Sequence, residues 1–147
     1  MVERYKTFTV LIANIARNIR KIKSEEMAKW GLRSHHVSCL YYLYDKKTLT
    51  AAELCEICEE DKANISRAIE HLENNGFIRC ETKGNRRYKS HLKLTQKGEE
   101  VGKSIFQRVE KILSAASEGL EEPERKTMYQ SLLLINDNLQ QIQSEYS

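Results

Sequence analysis

The stretch from Thr50 to Gly98 constrains this chain most, because two short helical patterns, a sharp turn and a strongly basic hairpin follow one another without a gap. Thr50-Ala51-Ala52-Glu53 has the form of a capping box. In that arrangement the threonine hydroxyl accepts from the Glu53 amide while the Glu53 carboxylate reaches back to the threonine amide. A helix is therefore predicted to start there, with Leu54, Ile57 and Cys58 on one apolar face. Glu59-Glu60-Asp61 interrupts the pattern and places Asp61 as the cap of a second helix. In that helix Ile65, Ala68, Ile69 and Leu72 recur at helical spacing and are expected to face a core. Lys62, Ala63, Ser66, Arg67 and Glu70 then point outward.

Asn74-Asn75-Gly76 is expected to end the second helix, because glycine takes the left-handed conformation there without a side-chain penalty and Phe77 can fold back onto the last turn. A strand from Phe77 to Thr82, turn residues Lys83-Gly84-Asn85-Arg86 and a returning strand from Tyr88 to Leu94 follow, before Thr95 opens another helix. From Lys83 to Lys93 the chain carries Lys83, Arg86, Arg87, Lys89 and Lys93 against no acidic residue. Such a field suits phosphate or a narrow minor groove. The order is that of a winged helix-turn-helix, so the fold class expected is mainly α with a small β-hairpin wing.

Composition agrees but discriminates less. A chain of 147 residues can bury one core, and a formal charge of +3 is only mildly basic. Its distribution says more. The residues up to Lys29 hold seven Lys or Arg against three Glu, whereas Ser117 to Ser147 holds two against six acidic residues, which places the acidic end away from nucleic acid. No apolar run approaches a membrane span, and the patch from Phe8 to Ala13 is shorter than a signal core. A cytoplasmic protein without membrane contact is expected. Four cysteines without the dense spacing of a secreted scaffold read as reduced thiols. An enzyme is not expected: there is no phosphate-cradling glycine loop, no placeable carboxylate pair and no nucleophile with an identifiable base. No cofactor and no metal are expected either.

The flanks read as assembly elements. Phe8, Ile12, Ile15, Ile19 and Ile22 repeat in steps of four, three, four and three, and so do Met128, Leu132, Ile135, Leu139 and Ile142. A third amphipathic helix from near Thr95 carries Val101, Ile105, Val109, Ile112 and Ala116 on one face. Pro123 marks the first turn of the last helix. Apolar stripes at both ends of a small reader are best used by pairing with a second copy, which makes a homodimer the expected state.

A helix to about Ala28, a helix from Ser34 to Asp45, two reader helices, a wing and two long helices give an order that resembles the MarR family of bacterial regulators. The resemblance covers nearly the whole chain. It is carried by Leu54, Asp61-Lys62, Ile65-Ser66-Arg67, Leu72-Glu73-Asn74-Asn75-Gly76-Phe77-Ile78 and Leu94-Thr95-Gln96-Lys97-Gly98. It implies one MarR-like domain over 1–147, with a winged helix-turn-helix core at about 34–98 and dimerisation helices at about 4–28 and 99–145. It also implies a dimeric repressor, occasionally an activator, that binds pseudo-palindromic promoter DNA and releases it when a small effector, an oxidant or a metal binds.

Two departures from the family pattern are visible. The Asp-x-Arg motif usual in the wing falls on Arg86 and Tyr88 if counted back from Leu94-Thr95 without a gap, and on Asn85-Arg86-Arg87 with one extra residue. The second register leaves Arg87 as the minor-groove arginine and is preferred. Glu60 stands where an apolar residue is common before the recognition helix, which suggests a more open turn or a local salt bridge. On this reading, dimerisation would set two recognition helices roughly 34 to 36 Å apart, one per successive major groove. Arg67 is the first candidate for a base contact, since its planar fork can pair with guanine, and Asn64 and Ser66 could read or orient neighbouring groups. Lys62 and Lys83 would hold phosphates, with Ala63, Asn85, Arg86, Arg87 and Lys89 completing the DNA-binding set.

Cys55 and Cys58 form Cys-x-x-Cys, but one helical turn apart they read first as core packing. A thiolate sensor or a metal site of the ArsR type ranks second, since Cys39, Cys80 and the histidines lie on other elements and a tetrahedral site needs more ligands. A winged-helix module that binds protein rather than DNA is a further alternative. His35 and His36 follow Ser34, a candidate N-cap, and read as partly exposed first-turn residues. The sharper reading puts one of them with Tyr41 on the wall of an effector pocket, while Trp30 and Tyr42 are expected in the core.

Overall fold

The computed structural model describes residues 3–58, 60–81 and 90–146. Two compact units partition the chain, Met1–Arg108 and Val109–Ser147. In the first, a π-helical segment Lys6–Leu11 leads into α1 (Ile12–Ala28), followed by α2 (Ser34–Lys46), β1 (Leu49–Thr50), α3 (Ala51–Cys58), α4 (Lys62–Asn74), β2 (Ile78–Cys80) and β3 (His91–Leu94). Helix α5 (Gln96–Ala116) comes next, and α6 (Glu122–Ser144) lies in the second unit with Pro123 in its first turn.

Local chemistry accounts for the helix boundaries. The Glu53 amide donates to Thr50 Oγ1 at 3.1 Å and the Thr50 amide to Glu53 Oε1 at 3.3 Å, completing the capping box at the start of α3. Asp61 caps α4 by accepting the Asn64 amide at 2.7 Å. At the other end of α4 the Phe77 amide reaches Leu72 O at 2.9 Å and the Gly76 amide reaches Glu73 O at 3.1 Å, with Gly76 at φ +79°. This is a Schellman closure, and it drives Phe77 into the core. Helix α2 begins at Ser34 as expected, but Arg33, not Ser34, occupies the cap, and its amide donates to His36 Nδ1 at 3.0 Å.

Among the described residues three strands form one antiparallel sheet in the order β1-β3-β2, with Leu49 opposite Leu92 and Ile78 opposite Leu94. The described strands are shorter than the predicted ones, and the predicted positions Thr82, Tyr88 and Lys89 lie outside the described residues. The pairing of β1 is an addition, since two residues without alternation give no strand signal. Leu40 and Leu43 of α2, Leu54 of α3, Leu72 of α4, Phe77, Leu92 of β3 and Ile105 of α5 fill the core of this unit. Truncating any one of these leucines to alanine would cost about 2–5 kcal/mol through lost transfer energy and the cavity left behind.

The entry of α5 is built by close backbone approach. Thr95 Oγ1 donates to Gly76 O at 2.6 Å and accepts from the Gly98 amide at 3.0 Å, joining the end of α4 to the start of α5. A side chain on Gly98 would meet Phe77 O at 1.9 Å, so only glycine fits there. Two packing expectations need correction. Ile57 points to solvent rather than to the core, because the short α3 buries only Ala51 and Leu54. Trp30 and Tyr42 are half-buried: Lys29 Nζ covers the indole at 4.3 Å, and Tyr42 stands edge-on to Tyr41. On α5 only Val101 and Ile105 of the apolar stripe are buried, Val109 and Ile112 being half-covered and Ala116 exposed.

Candidate nucleic-acid interface

Helix α4 divides sharply into two faces. Ile65, Ala68, Ile69 and Leu72 are buried, and Lys62, Ala63, Asn64, Ser66, Arg67 and Glu70 are exposed. The predicted outward set is therefore presented on one helix by a face that is locked into the core. On it, Asn64 Oδ1 accepts from Arg67 Nη2, and Asn64 Nδ2 donates to Glu60 Oε2 at 3.1 Å and to Asp61 Oδ2 at 3.2 Å. Glu60 thus engages the helix by a hydrogen bond to an amide.

Of the basic hairpin, Lys83, Asn85, Arg86, Arg87 and Lys89 lie outside the described residues, as does the choice of wing register. Lys93 is described, and its Nζ sits 2.7 Å from Oε1 of Glu81, the residue that follows β2. That hydrogen bond holds the Glu81 carboxyl below its usual range. Counting charge along the chain overlooked this pair, because the two residues meet only across the hairpin.

Three histidines gather between the start of α2 and the last turn of α4. The His36 ring stacks on His71 with centroids 4.6 Å apart and planes 10° apart, and His35 lies 4.1 Å from His36. Sequence reading overlooked His71, although it continues the Asn64, Arg67 line along the helix. His36 is 3% exposed, against the expectation of a partly exposed residue. Burial first, then the neighbouring His35, His71 and Arg33, lowers its pKa to about 4. Burial and the Arg33 charge also lower His35. Tyr41 turns elsewhere, stacking on Phe106 of α5 at 5.0 Å, so the three candidate effector residues divide between two aromatic clusters.

The thiols follow burial. Cys39 is in the core, with its pKa pushed up to about 12, and burial followed by the Glu60 charge raises Cys58. Both are held as neutral thiols near pH 7, which favours packing over thiolate chemistry. Cys55 and Cys80 are half-buried. Among the described residues no group of three His, Cys, Asp or Glu side chains is arranged to hold a metal ion.

The family model described as a winged helix DNA-binding domain matches residues 32–115. The chain belongs to that winged-helix DNA-binding family. Among curated proteins, this winged-helix chain is 23% identical over 134 residues to the HTH-type transcriptional regulator BilQ of Clostridioides difficile, covering 91% of this chain and 90% of the relative. Among solved structures, a MarR family transcriptional regulator from Listeria monocytogenes complexed with 26mer DNA aligns with a TM-score of 0.77 at 24% identity, over 95% of this chain and 90% of that one. NMB1585, a MarR family regulator from Neisseria meningitidis, aligns with a TM-score of 0.83 at 16% identity, over 99% and 100%. The winged helix has the MarR fold, as its sequence resemblance implied.

Proposed function

We propose that this winged-helix protein is a homodimeric, sequence-specific DNA-binding transcriptional repressor that acts in the cytoplasm and releases promoter DNA when a small-molecule effector binds. The single observation that carries the reading is α4, whose exposed Lys62, Ala63, Asn64, Ser66 and Arg67 ride on a face locked into the core. A helix so held can enter a major groove without losing its shape. The basic stretch with Lys83, Asn85, Arg86, Arg87 and Lys89 would reach the flanking phosphates and minor groove. The DNA complex of the Listeria relative supports duplex DNA as the partner.

The winged core at about 34–98 would read DNA, and the helices at about 4–28 and 99–145 would pair two copies. Two apolar stripes support the pairing. Phe8, Ile12, Ile15, Ile19 and Ile22 are each 39–49% exposed, and within the second unit Leu132, Leu139 and Ile142 are exposed on α6. Stripes of this kind on a soluble helix mark a surface covered by a partner. No helix among the described residues is long and apolar enough to cross a membrane. An effector near the His35, His36 or Tyr41 clusters would act by favouring one separation of the two reader helices.

Fluorescence anisotropy with the duplex upstream of the protein's own gene, scrambled competitor and a salt series tests the reading. The expected result is specific binding whose log affinity falls steeply with log salt, with sedimentation at the mass of two chains. A nearly flat salt response would instead indicate a protein partner, and a monomer at micromolar concentration would remove the dimer.

A further inference from the structure

The DNA-binding reading leaves open which α4 side chain reads a base and which only prepares another to do so. Asn64 is the informative residue, because an asparagine on a recognition helix is ordinarily a candidate adenine reader. To pair with adenine it must offer its amide hydrogens and its carbonyl oxygen together. Here both are committed within the protein. Nδ2 lies 3.1 Å from Glu60 Oε2 and 3.2 Å from Asp61 Oδ2, and Oδ1 accepts from Arg67 Nη2.

The chemistry of the partners makes this orientation unambiguous. Carboxylates only accept and a guanidinium only donates, so turning the amide over would set oxygen against oxygen and nitrogen against nitrogen. The spacings Glu60 to Asn64 and Asn64 to Arg67 are four and three residues, which place all three side chains along one side of the helix start. From this we infer that Asn64 is a positioning residue: anchored by Glu60 and Asp61, it aims the Arg67 guanidinium, which is the base reader and selects guanine. One Arg67 nitrogen is held, and the rest of its fork is left for guanine O6 and N7. The acidic pair has a second consequence. Two carboxylates beside the reader repel phosphate, so the arrangement gives up non-specific affinity while sharpening base choice.

The inference rests on the DNA-binding reading and is tested on the full chain by selection from a randomised duplex library, followed by anisotropy on selected and scrambled duplexes. The variants are Asn64→Ala, Glu60→Ala, Glu60→Gln, Arg67→Ala and the double variant of Asn64 and Arg67. Asn64→Ala keeps the α4 cap, because Asp61 accepts from the backbone amide of residue 64. Arg67→Ala is expected to abolish preference for one guanine in each half-site. Asn64→Ala should weaken the same preference about threefold or more and add nothing in the Arg67→Ala background, as coupled groups do. Glu60→Ala should lower it partly, since Asp61 still holds the amide, while Glu60→Gln, which keeps an acceptor, should restore it. Both Glu60 variants should bind scrambled DNA more tightly, which separates charge from positioning. Loss of preference at an adenine in the Asn64→Ala variant, with guanine selection intact, would overturn the inference, and so would additive effects of Asn64→Ala and Arg67→Ala. Failure of the unaltered protein to enrich any sequence would instead overturn the DNA-binding reading beneath it.

Discussion

Acidification should destabilise this protein through His36 before most of its carboxylates titrate. Neutral His36 accepts the Arg33 amide at 3.0 Å through Nδ1, is 3% exposed and faces His35, His71 and the Arg33 charge. Adding a proton would remove the acceptor and place a buried cation among groups that repel it. Its pKa falls from the ordinary 6.5 to about 4. Between these values the unfolded chain binds a proton that the folded chain refuses, so stability rises with pH across the window and is lost as pH drops from about 6.5 toward 4. At about 1.4 kcal/mol per pKa unit, the full loss is roughly 3 kcal/mol, and structural relaxation would leave about 2–3. With a urea m-value of about 2 kcal/mol per molar, the midpoint should fall by about 1–1.5 M. Urea titrations at fixed protein concentration at several pH values, comparing the natural protein with His36→Asn, isolate the effect from carboxylates common to both. Asn Oδ1 can stand near the Nδ1 position, so the variant should be less stable at neutral pH but show a flatter slope through this window. Equal slopes, or a His36 ring resonance titrating above pH 6, would refute the reasoning.

Three further outcomes follow from the packing. Gly98→Ala should destabilise by about 3 kcal/mol or more, since the added carbon would meet a backbone oxygen at 1.9 Å, and a melting temperature within two or three degrees of the natural protein would count against that close approach. Thr95→Ala, which removes a hydroxyl serving both Gly76 O and the Gly98 amide, should cost about 1–2 kcal/mol by urea denaturation, with Thr95→Ser restoring most of it. Replacing Ile15 and Ile19 together by lysine should shift sedimentation from two chains to one, while circular dichroism still shows a helical protein, because both side chains are exposed within the folded unit.

Much of the reader was legible because its signals are local. A cap, a helical period and a glycine closure each involve residues within about five positions of one another, so Thr50 with Glu53, Asp61 with Asn64, the buried face of α4 and the turn at Gly76 all follow from the order of side chains. The exposed stripe of α1 was legible for the same reason. Periodicity is also where local reasoning stops. It gave Ile57 the same standing as Leu54, yet α3 is short and only the second finds a core.

What the tertiary structure decided involves partners far apart in sequence. Two residues, Leu49 and Thr50, become a strand only because β3 supplies the opposite edge some forty positions later. Lys93 looked like one more free cation until the hairpin brought Glu81 beside it. His36 reads as a partly exposed first-turn residue, but in the fold it is buried, with His71 of α4 stacked on its ring. The orientation of Asn64 belongs to the same class despite short spacing, since a helical pattern states which residues share a side but not which hydrogen bonds a side chain will choose. Sequence order therefore determined where this protein's reader helix lies and which face it shows. Three-dimensional packing decided which of its charged and polar groups are already engaged, because burial and charge pairing depend on neighbours that only the folded chain brings together.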